Sequence, residues 1–150
     1  MGPLDWGSGE EESARADVYS IVSIGSVRSP FTNLEEAPRQ GREAQAEGEI
    51  LIHPRYAEAV EDLRAGDRLW VLLWFHAARR DVLRVHPRGD RSLPLKGVFS
   101  TRSPHRPNPL GLCLVEVLEV EGCRLRVLGL DALDGTPVVD IKPHRTELDD

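Results

Sequence analysis

Arg102, His105, Arg106 and Asn108 stand close together in the stretch Gly97–Gly111, GVFSTRSPHRPNPLG. Two guanidinium groups, an imidazole and an amide at that spacing can bind an anion or position a proton. Pro104, Pro107 and Pro109 interleave with them. Proline fixes φ and removes a donor, so the stretch is neither helix nor central strand. It reads as a stiff binding loop held between two strand candidates, Val98–Ser100 and Leu112–Val120. A second polar loop, Asp131–Thr136, follows another strand candidate and is acidic. One cationic and one acidic loop suit a ligand that carries both charges, with Arg102 or Arg106 on a carboxylate. The alternative is that Arg106 pairs structurally with Asp131 or Asp134.

Other chemistry is missing its signature. There is no GxxxxGK[ST], GxGxxG or GxSxG sequence. His53, His76, His86, His105 and His144 lack zinc-ligand spacing. Cys113 and Cys123 form no disulfide framework and are expected as buried, reduced thiols on adjacent strands. The chain has net charge −6, which argues against a general nucleic-acid coat. Yet His76–Leu110 holds eight Lys/Arg against two acids. Arg79, Arg80, Arg88 and Arg91 there suit an anionic partner such as RNA, or else form a solvated face.

The elements that must position these groups are mostly strands. Residues 1–16, with Glu10-Glu11-Glu12 and several glycines, are expected to be a disordered acidic tail. Val18–Val27 alternates as a strand ending in Arg28, a second positioned cation or a plain surface arginine. Asn33–Glu47, which contains Gln40, is expected to be a long loop. Glu49–His53 is a short strand. Pro54 opens a helix through about Arg64, with Tyr56, Ala59, Val60 and Leu63 as its stripe and Gly66 as its stop. Arg68–His76 is nearly all apolar and predicts a central strand buried on both faces. Asp81–His86 is a further strand. Leu112–Val120 and Cys123–Leu130 predict a hairpin turning at Glu121-Gly122. Val138–Ile141 is the last strand, and the tail from Thr146 is expected to be loose.

The sum is a mainly β fold: one closed, antiparallel-rich barrel over 17–145, with one short helix, long functional loops and a loose tail at 146–150. There is neither a signal-peptide core nor an apolar run of about 18 residues, so the expected location is the cytoplasm.

The chain resembles the TsaA-like family of TrmO-type tRNA methyltransferases. The matching pieces are IGSVRSPF (24–31), PRQ (38–40), LWVLLWFH (69–76), GVFSTRSPHRPNPLGL (97–112) and LDALDGTPVVDIKP (130–143). The resemblance implies a β-barrel homodimer that binds S-adenosylmethionine near its subunit interface. It implies methyl transfer to N6 of threonylcarbamoyladenosine beside the anticodon of tRNA. Motif positions carried over as cofactor-binding are Arg28, Gln40, Arg102, Arg106, Asn108, Asp134, Thr136 and Lys142. Asp140, His76 and His105 are carried as candidates for the base that takes the acceptor proton, in no order. A module that only binds the cofactor, and a methyltransferase for a small molecule, stand as alternatives. The chain has His144 where the family often has tyrosine, and it is expected to be a short form without the C-terminal domain of longer members.

Overall fold

The computed structural model describes residues 17–32 and 46–150. Gln40 and the expected tail at 1–16 lie outside them. Six strands, β1 (Gly25–Arg28), β2 (Glu47–Ile52), β3 (Arg68–Trp74), β6 (Leu110–Glu121), β7 (Arg124–Leu128) and β8 (Pro137–Pro143), make one sheet. Their order is β1-β2-β7-β6-β3-β8, closing on β1, and every neighbour is antiparallel. Closure removes the unpaired strand edges that an open sheet would expose. The seam is narrow: β1 meets β8 at Gly25↔Val138 and Ser26↔Pro137 only.

Alternation fills the interior. Leu69, Val71 and Leu73 of β3 are almost wholly buried against Val115, Val117, Leu125 and Val127. Each such side chain removed from water stabilises the fold by about 1.5–3 kcal/mol. The other face of β3 was expected to be equally buried, but Trp70, Leu72 and Trp74 are only half-buried. A barrel wall has one interior, so the outward set is covered only in part. β3 is central as predicted, pairing with β6 and β8. A bulge between Leu72 and Leu73 pairs Leu72 with Asp140 and Leu73 with Val138, which lets β8 bend round the wall.

Several elements differ from expectation. Residues 17–23 are exposed and irregular, and β1 begins only at Gly25. The expected helix from Pro54 is a 3-10 helix, Pro54–Val60, broken at Tyr56 (φ −106°, ψ 18°). It buries Val60 and lays Tyr56 and Leu63 on the core, while Ala59 stays exposed. Gly66 ends the segment at φ +96°, and its N–H donates to the Val117 carbonyl at 2.8 Å. Val98–Ser100 is a 3-10 turn rather than a strand, and Asp81–His86 contributes only β4 (Arg84–Val85). β4 pairs with β5 (Lys96–Gly97) as a separate two-stranded sheet. The hairpin stands as read: Glu121 pairs with Arg124, and Gly122 takes φ +59° at the first turn position. Cys113 is buried on β6, but Cys123 sits half-buried in this turn; both are free thiols.

The expected loose end forms one helical turn, α1 (Thr146–Asp149). Trp70 Nε1 donates to Asp149 Oδ2 at 3.0 Å and the Arg145 amide to the same oxygen at 2.9 Å. The Arg145 amide, then Trp70, holds the Asp149 carboxyl below its ordinary value. That stabilisation is complete above the ordinary carboxylate range near pH 4 and is lost as pH falls through the lowered value. The Trp70 indole N–H resonance should therefore stay fixed from pH 7 to about 5 and shift towards its free position in stronger acid. Unchanged docking in strong acid would contradict the assignment.

Candidate functional site

Strand direction sorts the connections. β1, β7 and β3 end, and β2, β8 and β6 begin, at one rim of the barrel. The connections 29–46, 129–136 and 75–109 all leave from that rim. The opposite rim carries the Pro54–Val60 turn, the Gly122–Cys123 hairpin and α1. Arg28, His76, Arg79, Arg80, Arg88, Arg91, Arg102, His105, Arg106, Asn108, Asp134 and Thr136 therefore all belong to the loop rim. Asp140 and Lys142 do not: they lie on the outer wall of β8, opposite Leu72 and Trp70.

The proline loop is built around Arg106. Its Nε donates to the Ser103 carbonyl at 2.7 Å, and its Nη2 to the Val98 and Thr101 carbonyls at 2.8 and 2.5 Å. A guanidinium offers five N–H donors in a fixed fork, which suits three carbonyls gathered at this turn, of which that of Val98 also accepts the Thr101 N–H and hydroxyl. Arg106 is thus engaged as the loop's internal brace. It makes no ion pair with Asp131 or Asp134 among the described residues. Thr101 Oγ1 and Ser103 Oγ accept from the Ser103 and His105 amides and tighten the same turn.

The segment after β3 is laced onto this loop. The Phe75 amide donates to the Pro109 carbonyl and the Arg106 amide to the Arg79 carbonyl. Phe75 lies over Gly111, where an added Cβ would come within 2.3 Å of the ring. Arg80 Nε donates to the Pro107 carbonyl at 2.7 Å, Arg80 Nη2 donates to Asn108 Oδ1 at 3.0 Å, and the guanidinium stacks 5.0 Å above Trp74. Arg79 pairs with Asp81 at 2.9 Å. Arg79 and Arg80, both read as RNA-binding, thus have partners within the loops. The Trp74–Arg80 stack was missed; its signal is an arginine six residues after an outward tryptophan.

His105 Nδ1 accepts the Arg79 backbone N–H at 3.0 Å. In the neutral ring the proton then sits on Nε2, so that nitrogen donates rather than accepts. This argues against His105 as the general base. His76 is exposed on the same rim, and its ring has no partner among the described residues.

The acidic loop is laced to the end of β1. The Ser29 amide donates to Asp134 Oδ1 at 3.0 Å, Ser29 Oγ to the Ala132 carbonyl, and the Asp134 amide to the Phe31 carbonyl. Gly135, at φ +86°, donates its N–H to the Val27 carbonyl; the left-handed turn is why glycine stands there. Thr136 is buried, with its hydroxyl on the Leu133 carbonyl at 2.7 Å. It holds the turn and does not face solvent. Asp134 leaves its second carboxylate oxygen without a partner among the described residues.

Arg28 reaches Glu49 at 3.8 Å, and Glu49 also pairs with Arg124. Arg126 pairs with Glu47 at 3.5 Å. These groups line a shallow cleft of about 350 Å³ across β1, β2 and β7. The ladder was visible as Glu-x-Glu facing Arg-x-Arg at strand spacing. Arg102 is exposed and has no partner among the described residues. Cys113 donates its thiol to the Gly129 carbonyl at 3.0 Å, and burial pushes its pKa up to about 12. A thiol so protonated is no nucleophile. His144 has a 3% exposed side chain, tilted 53° to Trp70 with Nε2 at 3.0 Å from Asp150. It is covered and cannot stack on a ligand.

Residues 26–150 match the family model described as the tRNA-methyltransferase O N-terminal domain. The chain belongs to that family. It is 56% identical over 129 residues to a probable S-adenosyl-L-methionine-binding protein of Methanothermobacter thermautotrophicus, covering 86% of this chain and 92% of that protein. It is 52% identical over 129 residues to the S-adenosyl-L-methionine-binding protein of Archaeoglobus fulgidus, covering 86% and 91%. The crystal structure of TrmO from Pseudomonas aeruginosa matches with a TM-score of 0.70 and 37% identity, over 89% of this chain. This TrmO N-terminal domain chain spans 58% of that TrmO chain.

Proposed function

We propose that this domain transfers a methyl group from S-adenosylmethionine to N6 of threonylcarbamoyladenosine beside the anticodon of tRNA. Family membership supports the cofactor and the reaction type. The observation that carries the site is a pair of charged groups on one rim without a partner among the described residues: Arg102 and the second oxygen of Asp134. The cofactor's amino-acid end has a carboxylate and an ammonium, and these two groups fit it. Arg106, Arg80 and Thr136 keep the binding loops in shape. When bound, the cofactor supplies an electrophilic methyl group on a sulfonium. His76 takes the N6 proton of the acceptor, since its imidazole is exposed on the rim. The loops align the acceptor in line with the methyl, and that positioning carries much of the rate.

The enzyme works as a homodimer through the outer wall of β3 and β6. Register places Leu72 beside Leu112, Trp70 beside Leu114 and Trp74 beside Leu110 on that wall. Leu110 and Leu112 are 42% and 47% exposed. Exposed leucines grouped on one wall in this way are the mark of an interface. Asp140 and Lys142 border it, so their contribution to a site would be made to the partner's loops. Arg28 and Gln40 complete the cofactor set at the β1–β2 connection. A cytoplasmic location follows from the tRNA substrate. Among the described residues no helix is long and apolar enough to cross a membrane.

The test is transfer of labelled methyl to total tRNA lacking this modification, with nucleoside analysis. Label on threonylcarbamoyladenosine is the expected result. Leu112→Glu should give a monomer by light scattering and lose transfer. Tight cofactor binding with no label in any RNA would replace the proposal with a binding module, and label on small molecules alone with a small-molecule methyltransferase.

A further inference from the structure

The β4–β5 ribbon lies outside the barrel sheet, within the long connection from the loop rim. Between Val82 and Phe99 it carries Arg84, Arg88, Arg91 and Lys96 against a single acid, Asp90, in a chain of net charge −6. All four cations are exposed. Asp90 is exposed as well, and its Oδ1 accepts from the Ser92 amide at 2.9 Å and the Ser92 hydroxyl at 2.6 Å. The ribbon is ordered by bonds to its own backbone. Val98 N–H meets the Leu83 carbonyl at 2.9 Å, Arg84 Nη2 the Leu95 carbonyl at 3.1 Å, and His86 Nδ1 the Leu93 carbonyl at 2.9 Å. At its base Phe99 is 83% exposed, and Leu83, Leu93 and Leu95 are 66%, 42% and 46% exposed.

Resting on the tRNA reading above, we infer that this ribbon is an RNA-gripping arm: Lys96, Arg88 and Arg91 contact phosphates, and an unpaired base stacks on Phe99. The combination decides the occupant. A lone exposed apolar side chain is ordinary surface, but here an open aromatic face stands among cations. That pairing is what single-stranded nucleic acid needs: a π-face for each base and positive charge along the backbone. A second copy of an acidic chain offers this arm no such complement of bases. Within double-stranded RNA the bases are stacked and cannot reach a ring. The arm therefore prefers a loop, which is the form of the anticodon region.

The experiment measures binding of a labelled anticodon stem-loop RNA, and of a paired RNA duplex, by fluorescence anisotropy over a salt series. Cofactor binding and methyl transfer to tRNA are followed in parallel. Phe99→Ala should weaken stem-loop binding by about tenfold, the alanine cost of one stacked base, and leave duplex binding unchanged. Phe99→Trp should restore it. Reversing Arg88, Arg91 and Lys96 to Glu should flatten the salt dependence by about 0.7 in log–log slope for each phosphate no longer neutralised. Cofactor binding should be untouched in every variant. Wild-type methyl transfer with unaltered stem-loop binding in all variants overturns the arm and leaves the function standing. Arm-dependent RNA binding without methyl transfer overturns the function and leaves the arm. Wild-type chain that binds no RNA overturns both. Loss of self-association in Phe99→Ala, with RNA affinity kept, would overturn the arm and assign the ring to a subunit interface.

Discussion

Arg106→Ala is expected to lower methyl transfer by about a hundredfold while leaving the barrel folded. The side chain gives three hydrogen bonds to the carbonyls of Val98, Thr101 and Ser103. Bonds from a charged donor contribute about 1.5–3 kcal/mol each. Losing all three frees a loop whose prolines cannot supply replacement donors. A displacement of about 1 Å in positioning groups can cost a factor of about 100 in rate. The loss should be local, because the core strands do not touch this guanidinium. Hydrogen exchange at the Ser103 and His105 amides should quicken, while β3 and β6 amides stay protected. Arg106→Lys should recover little, since one ammonium cannot span three carbonyls. A direct cofactor ligand would give another pattern: raised cofactor KM with unchanged loop exchange. That result would return Arg106 to the role its sequence motif first suggests.

Gly25→Ala is expected to destabilise the whole fold. A Cβ there would lie 2.2 Å from the Leu51 carbonyl oxygen and 3.0 Å from the Ile52 Cα. Both are backbone atoms of the paired strand and cannot rotate away. Overpacking of this kind costs about 3 kcal/mol, the upper part of its usual range. The position magnifies it, because β1 holds β8 by only two residue pairs, one of them at Gly25. Thermal unfolding should fall by about 10 °C for a domain of this size. An unchanged midpoint would mean that β1 shifts freely, and that the seam is not a fixed part of the barrel.

The parts legible in the sequence are those set by local pattern. The apolar run Arg68–His76 marked the central strand, alternation in Leu112–Val120 and Cys123–Leu130 marked the hairpin, and Glu121-Gly122 marked its turn. Asp134-Gly135 marked a turn that does need a left-handed residue. Other features depended on distant partners. Val18–Val27 alternates well enough for a strand, but among the described residues no strand pairs with 17–23, and only Gly25–Arg28 joins the sheet. Pro54–Val60 has a helical stripe, yet the short span across the barrel end draws it into a 3-10 turn. The charges misled most. Arg80 and Arg79 read as RNA-binding cations and Arg106 as a carboxylate ligand or an ion-pair partner of the acidic loop; instead Arg80 is held by Pro107 and Asn108 of the proline loop, Arg79 by Asp81, and Arg106 by carbonyls of its own loop. Asp140 and Lys142 sit in a motif with the loop residues but stand on a different face, because a strand carries them away from the rim. Arg102 was one arginine among several in the sequence; only the folded arrangement singles it out.

The division between the two rims has a consequence for how the chain could be threaded. The start of β1, the end of β8 and the Gly122–Cys123 hairpin share the rim opposite the loops. A short linker from β8 back to β1, with new ends cut at Gly122, would keep all six strand pairings. It would also keep every connection at the loop rim intact. The order of the strands along the chain is thus one solution among several, and the chemistry at the loop rim depends on the ring rather than on where the ring is opened.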